Sequence, residues 1–170
     1  MSRYSHRMSR GFLFVIGALA LAFPAEAKEN LGVFDDWGAF LDRGIPRCYA
    51  IAAAEKEKTA GPYQAYADVG TWPRQTVRGQ VHFRTSREMA KGSYISLSLA
   101  GRRYSLTGGG ADAWAKDKQM DAAIVAAMRA AEEMSVSAID TGGHRFTDHY
   151  SLKGVPTAMD AATVGCARLR

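Results

Sequence analysis

The sequence predicts a mainly β, single-domain protein with one central and one C-terminal short helix. Three observations predict it. Apolar and polar residues alternate in short runs, most cleanly at Tyr94–Leu99 and Met134–Ala138, which is the period of a half-buried strand. Two later stretches, near Lys118–Ala131 and Val155–Ala162, instead space their apolar residues as a helix does. The chain beyond Ala27 has room for one hydrophobic core and not for two.

The first element is a leader. Arg3, His6, Arg7 and Arg10 precede the apolar run Gly11–Phe23, Pro24 breaks it, and Ala25-Glu26-Ala27 follows as an A-x-A site. That order is the pattern of a secretory signal peptide over residues 1–27, cleaved after Ala27. The run of about 13 apolar residues falls short of the ~20 that span a hydrocarbon core, so a permanent anchor is the weaker reading. The single exported β-rich domain is then 28–170. Without Arg3, Arg7, Arg10 and Glu26 it carries 19 basic and 16 acidic side chains. Its basic residues are scattered, which argues against a nucleic-acid partner.

In the mature chain, Cys48–Ala54 follows the turn residues Arg43-Gly44-Ile45-Pro46 and reads as a strand. Residues 56–66, "KEKTAGPYQAY", read as an exposed loop. Val81 and Phe83 alternate with His82 and Arg84 in a second strand. Ile95, Leu97 and Leu99 share one strand face, and Gly101-Arg102 suits a II′ turn into a returning strand at Arg103–Leu106. Gly108-Gly109-Gly110 reads as a mobile turn, because no G-K-[ST] follows to make it a phosphate cradle. Asp117 caps a helix over Lys118–Ala131, with Met120, Ile124, Val125, Met128 and Ala131 on its apolar side. Met134, Val136 and Ala138 begin the next strand, and Thr141-Gly142-Gly143 turns the chain into His144–Leu152. Pro156 then suits the first turn of a short helix with Val155, Met159 and Ala162 inward, and Gly165 the left-handed position beyond it.

The chain has two cysteines, Cys48 and Cys166, about 118 residues apart. Export exposes both to an oxidising compartment, where two thiols end as a disulfide. A redox or nucleophilic thiol would call for a C-x-x-C or a thiolate-stabilising setting, and neither is visible. The pair is therefore expected to fasten the terminal helix to the sheet.

Asp148 is the anomaly. It shares a strand face with His144, Phe146, Tyr150 and Leu152, so it points at the core and needs a partner there. An acid/base pair of Asp148 and His144 would have to bridge four strand residues. A metal set of His144, Asp148 and His149 would have to combine both faces of one strand. Trp37, Trp72 and Trp114 are read first as core anchors; Trp72 and Trp114 lie in loop-like context, where an exposed binding role is the alternative. No G-x-S-x-G, H-E-x-x-H or P-loop pattern is present, and no motif calls for a cofactor.

The chain resembles the invasion-associated locus B family of exported bacterial proteins. The residues that carry the resemblance are "FDDWGAFLD" with Trp37 ahead of Cys48, "GSYISLSLAGRRYSL", "DAAIVAAMRAAEEMSV" and "YSLKGVPTAMDAATVGC". The resemblance implies a small β-sandwich-like domain, periplasmic or secreted, associated in some bacteria with host-cell colonisation. It implies no catalytic residues, so none are assigned. The expectation is an envelope-accessory or host-interaction protein whose partner is a protein or envelope component, with no stable membrane anchor after cleavage. The alternative is a periplasmic hydrolase using Asp148 and a histidine, which requires those groups to meet a nucleophile or metal in one cleft.

Overall fold

The structure, a computed structural model, describes residues 28–56, 58 and 61–169. The leader expected at 1–27 lies outside the described residues.

Among the described residues ten strands and two α-helices follow in the order β1 (Glu29–Phe34), β2 (Trp37–Asp42), β3 (Arg47–Ala53), β4 (Tyr66–Trp72), β5 (Val77–Arg84), β6 (Ile95–Leu99), β7 (Arg102–Gly109), β8 (Asp112–Trp114), α1 (Lys118–Met128), β9 (Glu133–Ile139), β10 (Arg145–Ser151) and α2 (Val155–Cys166). The strands form one antiparallel sheet ordered β1-β2-β3-β4-β5-β8-β7-β6-β9-β10. One face of it is apolar along its length: Trp37, Ala39 and Leu41 on β2, Cys48, Ala50 and Ala52 on β3, Val81 and Phe83 on β5, Leu97 on β6, Val136 on β9. The two-residue alternation puts these side chains on the same side. The sheet bends until β5 and β10 face each other, with the rings of Phe83 and Tyr150 6.0 Å apart. The sandwich-like body is thus one continuous sheet curled over its own core. α2 packs on β1, β2 and β3, and α1 on β5.

Local chemistry explains the helices. The Asp117 carboxylate accepts from the Met120 N–H at 2.8 Å, satisfying a donor that the first turn leaves free. Asp121, one turn on, accepts from the Val81 N–H at 2.8 Å and ties α1 to β5. α1 ends at Met128, three residues before the expected Ala131. The Ala130 N–H turns back to the Ala127 carbonyl, and the Glu132 carbonyl is taken by the Leu152 N–H. α2 has Pro156 in its first turn, as expected.

Several local expectations are corrected. The β6–β7 turn is centred on Ala100-Gly101, not Gly101-Arg102. Both residues have positive φ, 49° and 71°, the I′ pattern that matches strand twist. Gly108 and Gly109 are strand residues paired with Ala113 and Asp112, and a side chain on Gly108 would fall on the Asp112 backbone. Close approach of backbone is the reason for glycine at 108, while Gly110, with φ of 60°, makes the turn into β8 as expected. Gly165 lies inside α2 and not beyond it; a side chain there would strike Leu31 of β1. Trp72 and Trp114 sit on strands β4 and β8, not in loops.

Cys48 and Cys166 are joined by a disulfide. It links β3 to the last turn of α2, with both cysteines nearly enclosed. Among the described residues no helix is long and apolar enough to cross a membrane.

Candidate binding face on the outer side of the sheet

Among the described residues the helices cover the inner face of the sheet and leave the outer face of β3, β4, β5 and β8 open. Alternation decides what stands there. With Cys48 and Ala50 inward, Arg47, Tyr49 and Ile51 face out; with Ala67 and Val69 inward, Tyr66, Asp68 and Trp72 face out. β5 adds Gln80, His82 and Arg84, and β8 adds Asp112 and Trp114. Register then sets the neighbours: Ile51 lies opposite Asp68, Asp68 opposite His82, and His82 opposite Trp114.

The result is an aromatic basin of about 330 Å³, lined among others by Arg47, Tyr49, Tyr66, Trp72, His82 and Trp114. The His82 ring stacks on Trp114 at 5.1 Å and meets the Tyr66 edge at 5.7 Å. The Arg47 guanidinium lies over the Tyr49 ring at 4.4 Å and near that of Trp72 at 5.9 Å, a cation held on aromatic faces. Gly70 makes room for Trp72: a Cβ there would stand 2.6 Å from the indole. The indole therefore lies flat across the strand.

At the centre, His82 is held from both sides. Its Nδ1 meets the Asp68 carboxylate at 2.8 Å and its Nε2 meets Asp112 at 3.0 Å. Arg84 donates to the other Asp112 oxygen at 2.7 Å. Burial alone would lower the His82 pKa, but the carboxylates of Asp68 and Asp112 outweigh it and hold the pKa above the ordinary value. Carboxylates only accept, so a ring bonded to two of them donates both N–H groups and is the imidazolium. With both nitrogens engaged it has no lone pair to act as a base. The cluster sets shape and charge on the face.

The residues singled out from the sequence go elsewhere. Asp148 is fully enclosed, and its carboxylate accepts from the Ser86 N–H at 2.8 Å. His144 is 78% exposed, and its neighbour is Asp140: the His144 N–H donates to Asp140 at 2.9 Å. That bond, with those from Arg87 and Gly142, lowers the Asp140 pKa. His149 points away from Asp148 by strand alternation. The Asp148–His144 pair and the His144–Asp148–His149 set therefore do not converge, and the cleft required for a hydrolase built on Asp148 is not formed around it. The physical reason is burial: Asp148 faces the core between β5 and β10.

Burial also raises the Asp148 pKa, against the Ser86 hydrogen bond that lowers it. A raised carboxyl pKa means that the folded state holds the proton more tightly. Its stabilising effect is complete below the unfolded value, about 3.9, and is lost as pH rises through the folded value. Asp148→Asn keeps an acceptor for Ser86 and mimics the protonated acid. The variant is expected to match the wild type near pH 4 and to be the more stable at pH 7. Urea midpoints at the two pH values check this; a difference that does not change with pH rules it out.

Sequence reasoning missed the Asp68–His82–Asp112 cluster because its members lie 14 and 30 residues apart and only strand register joins them. Comparison with curated proteins and with solved structures finds no match. The family model for invasion associated locus B (IalB) protein matches residues 42–163, which takes in β3 through β10 and every outer-face residue named above. The chain therefore belongs to the invasion associated locus B family.

Proposed function

We propose that this chain is an exported envelope-accessory or host-interaction protein, periplasmic or secreted, that works by binding and not by catalysis. The observation that carries the reading is the open outer face. Aromatic rings, a stacked guanidinium and a fixed imidazolium stand on strands with no helix over them among the described residues. Large aromatic residues and arginine dominate the energetics of protein interfaces, and a face built on strands is already arranged for contact. The partner is a protein or an envelope component. Export is supported by the leader pattern and by the disulfide, since such bonds persist in oxidising compartments.

The test is direct. Purified protein is measured for saturable binding to isolated bacterial envelopes and to host-cell surfaces, beside a Trp72→Ala/Trp114→Ala variant. Both indoles are partly exposed, so the variant is expected to fold, with a melting temperature close to that of the wild type. Its binding is expected to fall at least tenfold, the scale of a truncated interface anchor. Wild-type binding to neither surface, or undiminished binding by a folded variant, overturns the reading.

A further inference from the structure

On the opposite side of the same strands lies a second concavity, and its chemistry differs. α2 packs on β1, β2 and β3, and α1 on β5, so the two helices stand apart over β4. The groove between them has a volume of about 480 Å³, within the range of pockets that hold small molecules. Its floor includes Val69 and the Cys48–Cys166 disulfide; its walls include Ala122, Val125 and Ala126 of α1 and Met159 and Ala162 of α2. Small side chains on both walls leave the gap unfilled.

Both threonine hydroxyls inside are engaged. The Thr71 hydroxyl accepts from the Gly79 N–H at 3.1 Å, and the Thr163 hydroxyl donates to the Met159 carbonyl at 2.8 Å. Most of the side chains that line the groove are apolar. Charge lies on three lining residues, Arg78, Lys118 and Arg129, and no carboxylate lines the groove among the described residues. Arg129, the residue after α1, is bonded to Asp160 of α2 at 2.7 Å. Arg78 and Lys118 have no ion-pair partner among the described residues.

We propose that this groove binds a single acyl chain with an anionic headgroup, a fatty-acid-like amphiphile. The chain lies between α1 and α2 over the disulfide, and the carboxylate meets Arg78 and Lys118. Apolar burial supplies the affinity, and the unpaired cations select a charged head over a neutral one. This site is independent of the outer face, because Val69 and Thr71 point to the side of β4 opposite Asp68 and Trp72.

Palmitate is the probe, with hexadecanol as its uncharged counterpart, and binding is read by native mass spectrometry and by calorimetry below micelle formation. The wild type is expected to bind one palmitate saturably and hexadecanol about tenfold more weakly, the scale of two solvent-exposed charge contacts. Ala126→Trp, at an exposed helix position, is expected to fill the groove and abolish binding. Arg78→Glu/Lys118→Glu is expected to weaken palmitate about tenfold and to leave hexadecanol unchanged. Circular dichroism and melting temperature confirm that each variant is folded. Absence of saturable palmitate binding, or full palmitate binding by folded Ala126→Trp, overturns the site. Equal affinity for the acid and the alcohol overturns the anionic headgroup. The outer-face variant Trp72→Ala/Trp114→Ala is expected to bind palmitate as the wild type does, so failure of either reading leaves the other standing.

Discussion

Breaking the Cys48–Cys166 bond is expected to cost about 5 kcal/mol of stability. The bond spans 118 residues, and the chain-entropy relation for closing a loop of that size gives roughly this value. The loop runs from β3 to the end of α2, so it encloses nearly all of the sheet. Such a cross-link acts chiefly on the unfolded chain, which is far less free when its two ends are tied. The loss therefore does not depend on α2 leaving its place. α2 keeps Val155, Ala158, Met159 and Ala162 packed inward after reduction, and the folded state is expected to look the same by circular dichroism. Against a total stability of about 5–15 kcal/mol, the reduced protein stands near the edge of folding. Urea unfolding of the oxidised protein, the reduced protein and a Cys48→Ala/Cys166→Ala variant measures this. A loss under about 1 kcal/mol in both would mean that the long closed loop contributes little, and that packing of α2 alone sets the stability.

The same bond illustrates what a linear sequence exposes. Two cysteines behind an expected leader predict a disulfide from compartment chemistry alone, without knowledge of the fold. Asp117 was equally legible, because a helix cap acts over three residues. The strands at 29–34, 37–42 and 66–72 were not. β1 carries a register shift between Asn30 and Gly32, which breaks the two-residue alternation by which a strand is read. β4 reads as "YADVGTW", whose outward Tyr66, Asp68 and Trp72 look like loop residues until Arg47 and His82 stand beside them. β8 has three residues and exists only as a partner for β5 and β7. The glycines at 108 and 165 misled in the same way: each is set by a distant approach, from Asp112 and Leu31, and not by local turn geometry. The inward turn of Asp148 was legible from period two; its partner was not, because Ser86 lies 62 residues away. The outer face combines both cases. Its residues were individually visible as aromatic and charged, but only register assembles Asp68, His82 and Asp112 into one cluster.

Trp37→Ala is expected to destabilise by about 3–5 kcal/mol, the range for emptying a buried aromatic site. Trp37 is 0% exposed and begins β2 after the turn at Asp35-Asp36. Its indole N–H donates to the Ser151 carbonyl at 2.9 Å, and the Asp36 N–H reaches the Lys153 carbonyl nearby at 3.3 Å. Farther along, the Glu55 N–H donates to the His149 carbonyl at 2.8 Å. These bonds join β2 and the end of β3 to β10, which lies at the far end of the strand order. Trp37 therefore holds the curl that brings both ends of the sheet over one core, and its loss removes packing and closure together. Trp37→Phe separates the two contributions. It keeps most of the ring and leaves the Ser151 carbonyl without its donor, a loss of about 1–3 kcal/mol. Denaturant unfolding measures both variants, and hydrogen exchange of β10 amides reports the closure. Faster exchange at His149–Ser151 in Trp37→Phe, with the rest of the sheet unchanged, is the expected pattern. Uniform exchange throughout would place Trp37 in the packing of the core alone and remove it from the closure of the sheet.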